Sequence, residues 1–326
     1  MASAFSVLRQ PVTGHELREE GGALIAPDGM SYPIKNGIPR FVNAENYADD
    51  FGWQWNTFRQ TQLDSYTGLT ISRDRLERHL CGHLGKLHGK RVLEAGSGAG
   101  RFSEILLSAG AQLCSFDLSN AVEANAMNNP PSERFVLAQG DIMKIPFERA
   151  SFDYVICIGV VQHTPDPEAT IKSLYEMVKP GGYLVIDHYI ANWRWRLPPP
   201  IGYATSLYRN YVLSLPRAKR FDVVKKLVDF WFGIHWKFKD SRLMRGILPR
   251  FSPIAFYYHI LHLRNRQEYY DWALLDTHDA LTDYYKHLRT GPQIEATLRL
   301  LGAEEVAITL AGNGVEAFCR KPVTAH

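Results

Sequence analysis

Glu94, Gly96, Gly98 and Gly100 stand at alternate positions, with Ser97 among them and Arg101 next in line. An apolar run precedes them and a helical pattern begins near Arg101, so the glycines make a turn between a strand and a helix. Such a turn lets the main chain bend sharply and lets a ligand lie against the backbone. The helix N-terminus behind it presents unpaired N–H groups. Asp117, followed by Leu118, closes the next apolar run, where a carboxylate can accept hydrogen bonds from both hydroxyls of a ribose. Asp141 and Ile142 follow the third run and Gly159 the fourth. These residues make a candidate nucleotide-cofactor site. A redox dinucleotide wants G-x-G-x-x-G, whose third small residue lets helix and strand approach. Counted from Gly96 and Gly98 that residue is Arg101, which is far too large. Three histidines bring proton chemistry: His163 beyond the fourth run, His188 at the end of the fifth, and His278 in a cluster with Asp279, Tyr284, Tyr285 and His287. Each is a candidate general base. His163 also reads as a loop residue packing near the cofactor, and the His278 cluster as a polar helix face.

The elements that must position these groups alternate. Strands are predicted at 91–95, 112–116, 134–138, 154–158 and 183–188, and helices at 101–109, 121–127 and 168–177. Alternation at this spacing predicts a doubly wound parallel sheet, with Pro180-Gly181-Gly182 breaking the chain before the fifth strand. Two further runs, 304–309 and 315–319, are joined by Gly312-Asn313-Gly314 and read as an antiparallel hairpin closing the sheet. Residues 1–45 carry turn signals between short apolar pieces, and 46–90 read as helical and aromatic, with Phe51, Trp53 and Trp55.

The chain has 326 residues, 45% hydrophobic and 22% charged, which excludes disorder and allows more than one domain. No apolar run approaches the ~18–20 residues of a membrane span, and the N-terminus lacks a signal core; a cytoplasmic protein is expected. Cys114, Cys157 and Cys319 fall in predicted strands and Cys81 stands apart, with no paired zinc spacing. The net charge of +3 does not imply nucleic acid, but residues 193–250 hold 13 Lys or Arg against 3 Asp. That excess predicts an anionic neighbour.

The run from Glu94 to Gly100 resembles the first motif of class I S-adenosylmethionine (SAM)-dependent methyltransferases of the type 11 kind. Further matches follow in order: Gly140-Asp141-Ile142; Pro146-Phe147 and Phe152-Asp153-Tyr154-Val155; Gly159 through His163 to Pro167; and Leu174 to Gly182, with Lys179-Pro180-Gly181-Gly182. The resemblance implies a Rossmann-like, doubly wound seven-stranded α/β sheet with an antiparallel last strand. It implies SAM as cofactor, with S-adenosylhomocysteine (SAH) as product. Glu94 would face the sulfonium and methionine end, and Gly96, Ser97, Gly98, Gly100 and Arg101 would wrap the amino-acid portion. Asp117 and Leu118 would meet the ribose, Asp141 the adenine amino group, Ile142 the ring face, and Gly159 would border the site.

The run from Tyr32 to Arg40 resembles a small zinc-ribbon-like module found beside methyltransferases. Its metal cysteines would fall near Gln10, Thr13, Ile25 and Asp28. None is a cysteine, so no metal is expected and the module reads as scaffold. The aromatic region from Phe51 to Gly68 resembles a segment that covers the cofactor. Residues 190–295 read as a helical substrate cap, with Trp193, Trp195, Tyr203, Trp236 and Tyr258 as stacking surfaces and Arg194, Arg196, Arg209, Lys219, Arg220 and Lys225 as cations. The expected domains are therefore 1–45, 46–189, 190–295 and 296–326, the last completing the sheet. Aromatics with cations suit an anionic or aromatic small-molecule acceptor, of sugar or secondary-metabolite type and methylated on a hydroxyl. A helical cap with a solvated basic face, a homodimer interface and an interfacial membrane contact are the other readings of this segment. A methyltransferase acting on RNA or protein, and a non-catalytic SAM-binding scaffold, stand as alternatives. No Asn-Pro-Pro-aromatic tetrapeptide, the mark of base amino methylation in this family, is present.

Overall fold

Alternating apolar runs and turn residues produce the elements in the predicted order. The computed structural model describes residues 5–42, 49–193, 197–257, 259–312 and 314–323, without the side chains of 49–51. Phe51, Arg194, Trp195, Arg196, Tyr258 and Asn313, singled out above, lie outside the described side chains. Four short strands come first: β1 (Arg18–Glu20), β2 (Ala23–Ile25), β3 (Ser31–Lys35) and β4 (Ile38–Pro39), paired antiparallel in sequence order. Helices α1 (Asp49–Thr57), α2 (Asp64–Thr67) and α3 (Ile71–His79) follow. Then β5 (Arg91–Ala95), α4 (Arg101–Ser108), β6 (Gln112–Asp117), α5 (Ala121–Asn128) and β7 (Phe135–Gln139) alternate. They lead to β8 (Phe152–Cys157), α6 (Pro167–Met177) and β9 (Val178–Tyr189). Helices α7 (Thr205–Ser214), α8 (Arg217–Lys237), α9 (Arg242–Phe251) and α10 (Arg266–Thr282) interrupt the alternation. Helix α11 (Gly291–Leu300), β10 (Glu304–Ala311) and β11 (Gly314–Arg320) end it.

The main sheet has the order β10-β11-β9-β8-β5-β6-β7. Strands β5 to β9 are parallel, and β11 runs antiparallel to both neighbours. The strand order reverses between β5 and β8, and a crevice at such a switch point, off the strand C-termini, is where α/β sheets bind ligands. Asp166 caps α6, its side chain accepting from the Ala169 N–H.

One strand differs from the sequence expectation. Pro180-Gly181-Gly182 does not precede the fifth strand but lies inside β9. Gly181 takes a φ of +78°, which bends the strand without ending it, and the β8–β9 register shifts beside it. A β-carbon at Gly182 would stand 2.9 Å from the carbonyl oxygens of Phe152 and Asp153, so only glycine lets the strands meet there. The crossover from β7 to β8 has no helix, in keeping with the sequence pattern, which offered none there. The N-terminal strands cover that face instead. Leu8 bridges Phe147, the Arg9 N–H donates to the Pro146 carbonyl, and Leu8, Leu24 and Tyr32 join the core beneath β5, β6 and β8. Buried Arg40 pairs with half-buried Glu123, donates to Gln139 Oε1 and forms a parallel bridge to Gln139.

The chain forms two units. One holds residues 1–59, 70–190 and 285–326, and thus the main sheet; the other holds 60–69 and 191–284. The insertion therefore ends at Tyr284 and not at 295. The His287 N–H donates to the Gln162 carbonyl and Arg289 bridges Ile190, which ties the returning chain to the sheet. Residues 60–69 join the insertion, where Gln62 Nε2 donates to Asp276.

In the second unit Val224, Val228, Phe232 and His235 form the buried stripe of α8. Phe232 stacks on Trp236 and meets Phe256 and Tyr270, and Tyr269 packs on Trp236. Part of the aromatic content expected to stack on substrate thus builds this unit's own interior. Part of the cationic content is likewise internal. Arg209 pairs with buried Asp283, and Arg220 donates to the Leu213 and Leu215 carbonyls at the end of α7.

Candidate functional site

The glycine turn sits at the C-terminal end of β5, in the middle of the sheet. Gly96, Gly98 and Gly100 all take left-handed φ angles of +74°, +51° and +87°. A β-carbon at Gly96 would collide with Val160, and one at Gly100 with Asn125 and Asn129. The turn is tied on both sides. The Gly96 and Ser97 N–H groups donate to the Phe116 carbonyl, while Asn128 and Asn129 of the α5 end donate to the Ala99 and Gly100 carbonyls. A β-carbon at Gly98 would lie 3.4 Å from the Trp55 indole, so α1 packs against the turn.

Glu94 is buried at the foot of this turn. Its Oε2 accepts from Ser103 Oγ at 2.5 Å and Ser115 Oγ at 2.7 Å, and its Oε1 has no hydrogen-bond partner among the described residues. Burial pushes the carboxyl up to about 7, against the pull of the two serines. Ser97 Oγ is also buried without a partner among the described residues. Asp117 accepts from the Gly98 N–H at 2.9 Å and from the Ser119 N–H and Oγ at 2.8 and 2.6 Å. Burial still raises its carboxyl above the usual range, with these donors opposing. The Leu118 carbonyl accepts from Gln139 Nε2. Asp141 accepts from the Met143 N–H after β7, and buried Ile142 is anchored by Ser173 Oγ on its carbonyl. Arg101 Nε donates to Ser72 Oγ, and the guanidinium stacks over Phe102. The Gly159 N–H donates to Asp187 Oδ1 at 2.6 Å.

Sequence reading missed what holds Asp187. Its Oδ2 pairs with Arg75 at 2.7 Å and lies 3.5 Å from His79 Nε2. Burial would raise this carboxyl, but His79, Arg75 and the Gly159 N–H together hold it below the usual carboxylate range. Arg75 and His79 belong to α3, more than a hundred residues upstream, so no local spacing points to them. Ser103 and Ser115 had a weak signal, since both are polar in runs otherwise reading as core.

Two of the three histidines adjoin Tyr189. The His163 ring packs edge-on against it at 5.2 Å, and His163 Nδ1 lies 3.2 Å from the Tyr285 carbonyl. His188 is buried, with Nδ1 3.0 Å from the Tyr189 carbonyl. A carbonyl only accepts, so Nδ1 carries the proton and the neutral ring leaves its lone pair on Nε2. That Nε2 has no partner among the described residues. Burial lowers the His188 pKa, and nearby Arg289 and His287 push the same way. Among the described residues, fully buried Gln162, with neither side-chain polar atom paired, and His287 Nε2 add unpartnered groups at this end of the sheet. His278 belongs to the other unit, where its Nδ1 lies 3.5 Å from Thr282 Oγ1 and its ring packs on Phe221.

Residues 93–186 match the methyltransferase domain family, a stretch running from β5 through most of β9. A ubiquinone biosynthesis O-methyltransferase of Idiomarina loihiensis is 31% identical over 117 residues, 34% of this chain and 48% of that protein. Its counterpart in Coxiella burnetii is 30% identical over 118 residues, 36% of this chain and 50% of that one. The chain thus spans about half the length of the curated relatives it matches. Among solved structures, the magnesium protoporphyrin IX methyltransferase of Synechocystis with bound SAH aligns at 14% identity and a TM-score of 0.44, covering 84% of this chain and 95% of that one.

Proposed function

We propose that the chain is a SAM-dependent methyltransferase acting on a hydroxyl of a small-molecule acceptor. The observation that carries this reading is the carboxyl at the glycine turn: Glu94 Oε1 and Ser97 Oγ are buried and unpaired beside a cradle only glycine can form. A buried carboxylate with one oxygen left unsatisfied is costly, and a cationic ligand in the cradle relieves it. Glu94 would hold the cationic methionine end, Asp117 the ribose hydroxyls, and Asp141 with Ile142 the adenine. Bound there, the cofactor supplies a methyl group already activated by its sulfonium. The chain's own task is to orient the acceptor and take its proton. His188 suits the second: its Nδ1–H is fixed on a carbonyl and its buried Nε2 lone pair has no partner among the described residues. Gln162 and His287 supply further polar groups for an acceptor hydroxyl. The name O-methyltransferase borne by the relatives supports oxygen as the acceptor atom.

Thermal melting with and without SAH tests the site. Ligand binding to the folded state alone raises the melting temperature. Wild type should gain several degrees at saturating SAH, and Asp117→Ala should gain nothing. An equal gain in both would remove Asp117 from the site.

A further inference from the structure

Helix α9 turns an apolar side to solvent. Leu243, Ile247 and Phe251 are spaced four apart, which puts them on one helical face, and they are 72%, 37% and 44% exposed. Beside this face Leu248 is buried. The unit's interior is complete without the exposed three, since its aromatic cluster is built from α8, α10 and Phe256. The Arg250 guanidinium donates to the Pro200 carbonyl, and the Ala204 N–H donates to the Arg250 carbonyl. These bonds hold the 200–204 turn at the C-terminal end of α9, where Ile201 is 59% exposed. Arginines flank the face in sequence, Arg242 exposed at its start and Arg250 beside its end. The wider segment 193–250 carries 13 Lys or Arg against 3 Asp.

We propose that this face docks on the surface of an anionic phospholipid membrane. Large apolar side chains on one side of a short helix, edged by arginine, match a helix lying in the interfacial plane. Exposed Arg242 at the start of the helix, and the basic excess of the segment that carries it, complement lipid phosphates and are drawn to them within a Debye length. No described helix is long and apolar enough to cross a bilayer, so the contact is superficial. A nucleic acid would satisfy the charge but leave Leu243, Ile247 and Phe251 in water, and a second copy of this chain would bring the same positive charge against itself. The proposal does not depend on the methyltransferase reading.

Co-sedimentation of the full chain with vesicles of phosphatidylcholine, with or without phosphatidylglycerol, tests it. Wild type should bind the phosphatidylglycerol vesicles and not the neutral ones, with affinity falling about tenfold in high salt. The triple variant Leu243→Ser, Ile247→Ser, Phe251→Ser should bind about tenfold more weakly or less. Its melting temperature and SAH response should match wild type, because the three side chains are exposed. Failure of wild type to bind anionic vesicles overturns the proposal. So does undiminished binding by the triple variant, or a wild-type dimer that this variant abolishes while vesicle binding is absent.

Discussion

Glu94 takes two serine hydroxyls on Oε2, while Oε1 meets nothing among the described residues and the whole carboxyl is shut from water. Its pKa of about 7 stands above the ordinary 4.5 because burial disfavours the charge. The sign of the linkage follows. An acid raised in the folded state adds no penalty below its unfolded value, and stability falls as pH rises from about 4.5 through about 7. Glu94→Gln should therefore stabilise the ligand-free protein at pH values above 7 by on the order of 2–4 kcal/mol, measured by denaturant unfolding, while weakening SAM binding. A cationic ligand favours the carboxylate, so binding just below pH 7 should release a proton. Calorimetry in two buffers of different ionisation enthalpy reads that release, and identical heats in both would refute a charged Glu94 in the complex. His188 gives the catalytic counterpart. Its lowered pKa keeps the ring neutral to lower pH than a free histidine, so a rate limb due to its protonation lies below the ordinary 6.5. His188→Ala should keep SAH affinity and lose about 10²–10⁴-fold in turnover; unchanged turnover would exclude His188 as the base.

At the scale of elements, the glycine turn and the carboxylates at three strand ends were legible because the backbone demands are local. A turn with three left-handed residues needs glycine, and an acid at a strand end reads directly as a crevice group. The partners of those acids were not legible. Ser103 and Ser115 reach Glu94 from a helix and a neighbouring strand, and Arg75 reaches Asp187 across 112 positions, so each depends on packing. Pro180-Gly181-Gly182 misled for a related reason, since residues that usually end a strand here bend one and let it touch its neighbour. The missing β7–β8 helix was visible as a gap in the pattern, but nothing local said that residues 5–40 would fill it. If the N-terminal strands are that missing layer, Leu8→Ala should cost about 2–4 kcal/mol of stability, as for a buried leucine in any core. SAH affinity of the folded protein should stay unchanged. A loss of less than about 0.5 kcal/mol in urea unfolding would mean the module is an appendage.

At the scale of the whole molecule, the sequence separates into a part whose chemistry is written in motifs and a part whose residues mainly hold themselves together. The sheet unit carries the glycine turn, the three carboxylates, Asp187 and the Tyr189-side histidines. The insertion spends Trp236, Phe232, Arg209 and Arg220 on its own structure, which is why composition alone overstated its substrate-binding surface. What the insertion leaves over is an exposed apolar face on α9 amid positive charge, and that remainder is informative about surroundings more than about catalysis. The account as a whole stands on the cofactor site. Calorimetric titration of the wild-type chain with SAM tests it most directly. Saturable binding at one site per chain, tightening as the pH is raised from below to above about 7 as Glu94 ionises, is the predicted result; a titration with no heat of binding at either pH, and no competition by SAH, would contradict it.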